Sequence, residues 1–320
     1  MQIDVFNGDA DGICALIQLR LVKPMLAELV TGVKRDTQLL NRVTATAGDS
    51  VTVLDVSLAK NREGLEKVLS AGASVLYIDH HQAGDIPEHK NLEALINTDA
   101  NVCTSLLVDQ FVEGRFREWA IVAAFGDNMT MSAERVCKEV GLSNEQADSL
   151  KELGICVNYN AYGGSLEDLH FSPEQLYREM CGYDSPFKFM LENASIYTKL
   201  EKGYAADMSK ALDLKAEHAS NAIAVYMLPD ACWSRRVSGV FSNDLANENP
   251  ERAHAVLSTN EDGSLTVSVR APLSNKSGAD DLCQSFPTGG GRKAAAGISQ
   301  LPLSEFGHFV EKFSEQYTGS

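Results

Sequence analysis

The sequence predicts two α/β domains joined by a helical connection. Three observations carry that reading. Short apolar runs alternate with helical patterns over the first 130 residues. A more polar, mainly helical stretch follows to about 215, and apolar runs of strand length then return around short helices. With 320 residues the chain is long enough for two cores, and its 44% apolar and 22% charged composition is that of a globular protein.

The first strand is Gln2–Phe6, ending in Asn7-Gly8-Asp9-Ala10-Asp11-Gly12, after which Ile13, Leu16, Ile17, Leu19 and Leu21 keep a helical period. Val51–Leu54 reads as a second strand that stops at Asp55, and 58–71 as a polar helix. Ser74–Ile78 is a third strand, stopping at Asp79-His80-His81, and Leu95-Ile96-Asn97 a fourth. Residues 103–113 and 117–126 read as helices, the second ending near Asp127. Such alternation belongs to a parallel sheet covered on both faces. Beyond it, Ser172-Pro173-Glu174 is a helix start, and Gly163-Gly164 punctuates the chain. The later strands are 222–227, 255–257 and 265–269. The expected boundaries are 1–185 for the first domain, 186–216 for a helical linker and 217–320 for the second.

No run approaches the roughly 20 apolar residues of a membrane span. Met1 leads straight into a strand with no basic, apolar leader, so a cytoplasmic protein is expected. Seven dispersed cysteines without a C-x-x-C pair suit a reducing compartment and core packing. The net charge of −16 repels long polyanions, so long nucleic acid is not the expected partner and a phosphorylated substrate would be short. A homodimer is compatible with the composition.

In an open parallel sheet, functional groups gather where strands end. Here successive strand ends deliver Asp9 and Asp11, then Asp55, then Asp79-His80-His81, and Asp127 closes a helical run. Any one piece has an ordinary explanation: Asp55 as a helix cap, His80-His81 on the surface, Asp127 in a turn. So many acids on one edge need cations, and oxygen donors with one imidazole suit Mn²⁺ or Mg²⁺ better than zinc. Gly8 and Gly12 are expected to let the loop around the aspartates turn sharply.

Asp9-Ala10-Asp11-Gly12, Asp55, Asp79-His80-His81 and Asp127 resemble, in order and spacing, the motifs of the DHH phosphoesterase family. Gly289–Gly297 (GGGRKAAAG), after Val267-Ser268-Val269-Arg270, resembles its DHHA1 second domain. The resemblance implies an N-terminal DHH domain, a smaller C-terminal DHHA1 domain and a pair of Mn²⁺ ions, with Mg²⁺ as the alternative. Asp9 would serve one ion and Asp11 the other, Asp55 would bridge them, and His80 and Asp127 would complete the second site. His81 would face the substrate phosphate or steady the ligands, and Asp79 would orient a histidine. Many members place a His four residues before the first aspartate, where this chain has Val5; Asn7 is the expected substitute, directly or through water.

The resemblance also makes Gly289, Gly290, Gly291, Arg292 and Lys293 a substrate clamp together with Arg270, and puts Asn101, Thr104 and Ser105 near the phosphate. Ser274, Asn275 and Lys276 are weaker candidates for the cleft. Arg292 stands where His is usual, and Arg grips a phosphate bidentately or reads the O6/N7 edge of guanine. The implied activity is hydrolysis of short linear oligoribonucleotides, pGpG foremost. The alternatives are a pAp phosphatase, a general nanoRNase, or a nucleotide sensor with weak turnover. Processive single-strand exonuclease action is disfavoured, because no basic, aromatic-rich track is present.

Overall fold

The computed structural model describes residues 1–260 and 262–318. The chain divides into two compact units, Met1–Lys202 and a second beginning at Gly203.

The first unit holds β1 (Gln2–Phe6), α1 (Ala10–Val22), β2 (Glu28–Val30), β3 (Ser50–Leu54), α2 (Arg62–Ser70), β4 (Ser74–Asp79) and β5 (Leu92–Ile96). The helices α3 (Thr104–Phe111), α4 (Arg117–Gly126), α5 (Thr130–Val140), α6 (Asn144–Asn160), α7 (Pro173–Met180), α8 (Pro186–Glu192) and α9 (Ala194–Leu212) follow, the last running across the division. All five strands are parallel, in the order β2-β1-β3-β4-β5. Alternate residues Ile3, Val5, Val51, Val53, Val75 and Tyr77 build the core of one face. The other face is met by α1 and α3, and α4 packs behind them against α1, α3 and α6, so that α1 and α4 are buried nearly all round.

In the sheet order, β1 lies between the strands that follow it, so the chain leaves it first toward β2 and then toward β3. That reversal opens a crevice beyond the carboxyl ends of β1 and β3, where ligands of open α/β sheets bind.

The second unit contains β6 (His218–Ala219), β7 (Ile223–Leu228), α10 (Cys232–Glu248), β8 (Ala253–Thr259), β9 (Leu265–Arg270), α11 (Ala279–Gln284), β10 (Gly289–Arg292), β11 (Ala295–Leu301) and α12 (Phe306–Thr318). Its sheet runs β10-β11-β9-β8-β7-β6, with only β7 and β8 parallel. Ala255, Leu257, Val267, Val269, Ile298, Phe309 and Phe313 are among the buried side chains of its core.

The α/β class is as the sequence predicts, and several elements differ from it, β6 and β11 among the strands not expected. β2 was not expected; it has three residues and pairs only with β1 at the sheet edge. β5 begins at Leu92, three residues early, since its half-exposed edge position dilutes the apolar signal. The glycine run, expected only as part of a clamp, is an edge strand of a hairpin, paired to β11 from Gly289↔Ile298 to Arg292↔Ala295. No helix among the described residues is long and apolar enough to cross a membrane.

Candidate metal centre

Asp9, Asp11, Asp55 and Asp79 are each at most 2% exposed and His80 is 5% exposed. Burying so many ionisable groups is costly unless partners or ions compensate. The local chain explains their placement. Asp9 is the N-cap of α1, its Oδ1 accepting from the N–H of Asp11 (3.0 Å) and Gly12 (3.1 Å). Asp11, in the first turn of α1, accepts at the N-terminus of α3 from the N–H of Thr104 (2.8 Å) and Ser105 (2.7 Å). Asp55 ends β3 with φ +56°, a left-handed conformation uncommon for a non-glycine residue and frequent at functional sites. The Thr104 hydroxyl donates to its Oδ1 at 3.3 Å. Asn128, just after Asp127, is likewise at φ +59°.

His80 orients the centre. Its Nδ1 lies 2.9 Å from the Val102 carbonyl, which can only accept, so Nδ1 carries a proton and in the neutral ring Nε2 keeps the lone pair. Nε2 faces Asp55 Oδ1 at 3.5 Å, Asp127 Oδ2 at 3.7 Å and Asp11 Oδ2 at 4.0 Å. Two sets of donor atoms, each within 4.8 Å of one another, share this histidine: Asp11, His80 and Asp127, and Asp55, His80 and His81. His81 bonds Asp79 Oδ1 through Nδ1 at 2.8 Å and is about one-third exposed.

Asp9 stands outside both sets. Its Oδ2 is 2.6 Å from the Nζ of Lys34, a residue that sequence reasoning missed. Lys34 also reaches Asp127 Oδ1 (3.3 Å) and Asn158 Oδ1 (3.0 Å). Gly8 makes room for this: a Cβ there would lie 2.0 Å from the Gly32 carbonyl on the lysine's loop. Gly12 likewise lies against the Asn7 carbonyl, 2.1 Å from where a Cβ would be. Neither has a positive φ, so both serve close approach and not the sharp turn expected of them.

The fields agree with the geometry. Burial, then the charges of Asp9, Asp11, Asp127 and Asp79, push the Asp55 carboxyl well above the ordinary range. Burial raises Asp11 too, partly offset by His80. For Asp127 burial is outweighed by Lys34, His80 and His81, which hold it low. Burial works against the Lys34 ammonium, yet Asp9, Tyr162 and Asp127 raise its pKa well above the usual lysine value. A carboxylate cluster raised this way gains most from bound cations. Oxygen donors, the free Nε2 of His80 and a buried Asn7 Oδ1 without a hydrogen-bond partner fit hard divalent ions.

The other expected residues sort differently. Ser105 is fully buried and its hydroxyl donates to the Asp11 carbonyl at 2.9 Å. Asn101 is exposed, its backbone N–H and side-chain amide held by Asp99. In the second unit Arg270, Ala295 and Arg292 occupy one register row across β9, β11 and β10, so both arginines rise from the same sheet face. Asn243 Oδ1 fixes the Arg270 Nε at 2.8 Å, whereas Arg292 and Lys293 are exposed. Gly289 is required by packing, because a Cβ there would meet the Cys283 carbonyl at 1.7 Å. A cavity of about 620 Å³ lies in the first unit at the opposite edge of its sheet, among Gln2, Ser50, Ser74 and Leu92, and no metal-cluster residue lines it.

Residues 4–133 match the model of the DHH family, N-terminal domain. The match lies within the N-terminal unit. Three solved structures share the fold. Exonuclease RecJ bound to manganese has TM-score 0.62 and 16% identity, over 98% of this chain and 89% of that one. RecJ from Thermus thermophilus in complex with Mn²⁺ has TM-score 0.64 and 16% identity, with all of this chain spanning 52% of its length. The pGpG-specific phosphodiesterase PggH from Vibrio cholerae has TM-score 0.55 and 14% identity, over 98% of both chains. No curated protein matches the sequence.

Proposed function

We propose that the chain is a Mn²⁺-dependent phosphodiesterase that cleaves a short linear oligoribonucleotide, with pGpG the leading substrate, to mononucleotides in the cytoplasm. The observation that carries this reading is the convergence of Asp11, Asp55 and Asp127 on the free Nε2 of His80 at the reversal point of the sheet. Divalent ions held there, two in number, supply Lewis-acid charge to the phosphoryl oxygens and lower the pKa of an attacking water.

The chain's own residues do the rest. Asp11 is fixed by two backbone N–H groups, so its carboxylate needs no reorganisation during turnover. The Val102 carbonyl keeps His80 in one tautomer. His81, its Nδ1 tied to Asp79, presents Nε2 from a partly exposed ring and is the group placed to exchange a proton with the leaving oxygen. Arg270 and Arg292, on one face of the second sheet, suit two anionic groups of a dinucleotide.

Short substrates are favoured over long strands by the net charge of −16. The dinucleotide reading draws on the likeness to PggH, which extends over 98% of both chains. The test is product analysis with Mn²⁺ on pGpG, pApA, pAp, longer RNA and single-stranded DNA. Rapid GMP release from pGpG is expected. Equal rates on all dinucleotides remove the guanine preference, phosphate release from pAp alone makes the enzyme a 3′-phosphatase, and no product from any substrate removes the hydrolase.

A further inference from the structure

Lys34 is built into the cluster. The three donors of its ammonium have three acceptors: Asp9 Oδ2 at 2.6 Å, Asn158 Oδ1 at 3.0 Å and Asp127 Oδ1 at 3.3 Å. Its own N–H donates to the Ala161 carbonyl at 2.9 Å, which pins the loop, and its Nζ stands 5.2 Å from the centre of the Tyr162 ring. The packing of Gly8 against Gly32 holds the segment close to the end of β1. Asp9 meanwhile gives Oδ1 to two backbone N–H groups, so Oδ2 is its outward-facing acceptor and the lysine holds it.

The two sides of the centre therefore differ. Asp11, Asp55, His80 and Asp127 Oδ2 face one another with a free imidazole nitrogen among them, ready for an ion. On the Asp9 side a cation is already present. Five carboxylates, those of Asp9, Asp11, Asp55, Asp79 and Asp127, match the charge of two divalent ions and one ammonium, so the lysine is not surplus in the fully loaded state. It must nevertheless leave Asp9 Oδ2 before an ion can take that oxygen.

We propose that Lys34 is a displaceable counter-cation: its ammonium holds the Asp9 side of the cluster, so a second divalent ion loads there only by displacing it and binds more weakly than the first. This rests on the metal-dependent reading above and adds to it an order of loading. Its consequence is a threshold: the free metal concentration, and not the first binding event, sets how much enzyme carries both ions.

The test is calorimetric titration of the metal-stripped full chain with MnCl₂, run beside thermal melts. Wild type is expected to bind one Mn²⁺ tightly and a second at least tenfold more weakly. Lys34→Met should tighten the second event at least tenfold and leave the first within about threefold, and its melting temperature should respond more strongly to Mn²⁺ than that of wild type. Lys34→Arg, which keeps the charge, should retain the weak second event. Should Lys34→Met fail to fold, Asn158→Ala, which removes one acceptor of the ammonium, should tighten the second event by a smaller factor. Two binding constants that neither Lys34→Met nor Asn158→Ala changes overturn this inference alone. Absence of Mn²⁺ uptake in every protein overturns the metal reading, and this inference with it.

Discussion

The two units place their functional side chains in opposite ways. At the carboxyl edge of the first sheet the charged groups are buried, and each is held by at least one short polar contact; Asp11 alone takes two backbone N–H groups from another helix. On the edge hairpin of the second sheet, Arg292 and Lys293 stand in solvent, whereas Arg270 on β9 is tied to Asn243. A buried ionisable group must be paid for by the fold and is therefore rigid and intolerant of change. An exposed arginine burdens the fold little and acts only when an anion arrives. The first arrangement suits chemistry that tolerates no reorganisation, and the second suits capture of a ligand.

That contrast can be broken by substitution. Asp127→Ala should lower turnover of pGpG at saturating Mn²⁺ by about a hundredfold or more, with a cooperative melt retained. More than a tenth of the wild-type rate would show that the buried cluster does not need this ligand. Ser105→Ala is expected to cost about tenfold in kcat with KM unchanged, since the hydroxyl braces Asp11 from behind. A rise in KM instead would return Ser105 to the substrate surface. Arg292→Ala should raise KM for phosphorylated dinucleotides about fivefold and leave both kcat and melting temperature alone. An unchanged KM makes the exposed hairpin a bystander.

The smallest expected effect concerns a buried group of the second unit. His254, 1% exposed with neither ring nitrogen hydrogen-bonded, is held by burial and the neighbouring Arg252 at a pKa of about 4. The unfolded chain takes up this proton near the ordinary value of 6.5. Between 6.5 and 4 the unfolded state therefore binds more protons, so stability is complete above 6.5 and declines as pH falls toward 4. Urea unfolding followed by the fluorescence of Trp119 and Trp233 should show that slope, and His254→Gln should flatten it. An identical slope in the variant would assign it elsewhere.

Much of this was legible in the sequence for a physical reason. A parallel strand buried on both faces is a plain apolar run, and the residue that ends it is conspicuous; hence Asp9, Asp55 and Asp79 could be placed before any fold was known. Helices α3 and α4 were readable within two residues at each end because long apolar stripes leave little choice. Lys34 was not readable. The strand that leads to it has three residues, and that strand's pairing with β1 is a matter of topology, not of local pattern. A lysine in so acidic a chain, two residues after a glycine, was the only signal. The glycine hairpin was not legible because glycine has no strand preference of its own; pairing with β11, which pairs in turn with β9, decides its conformation. Ser105, which the resemblance puts near the phosphate, is buried and donates its hydroxyl to the Asp11 carbonyl, a contact no local pattern announces.

The central claim is that three carboxylates and the Nε2 of His80 form a divalent-metal site. Anomalous diffraction from crystals soaked in MnCl₂ tests it most directly. The account predicts a manganese peak at coordination distance from Asp11, Asp55, His80 and Asp127. A soaked crystal with no peak there, or with manganese bound only at exposed acidic side chains, would contradict it.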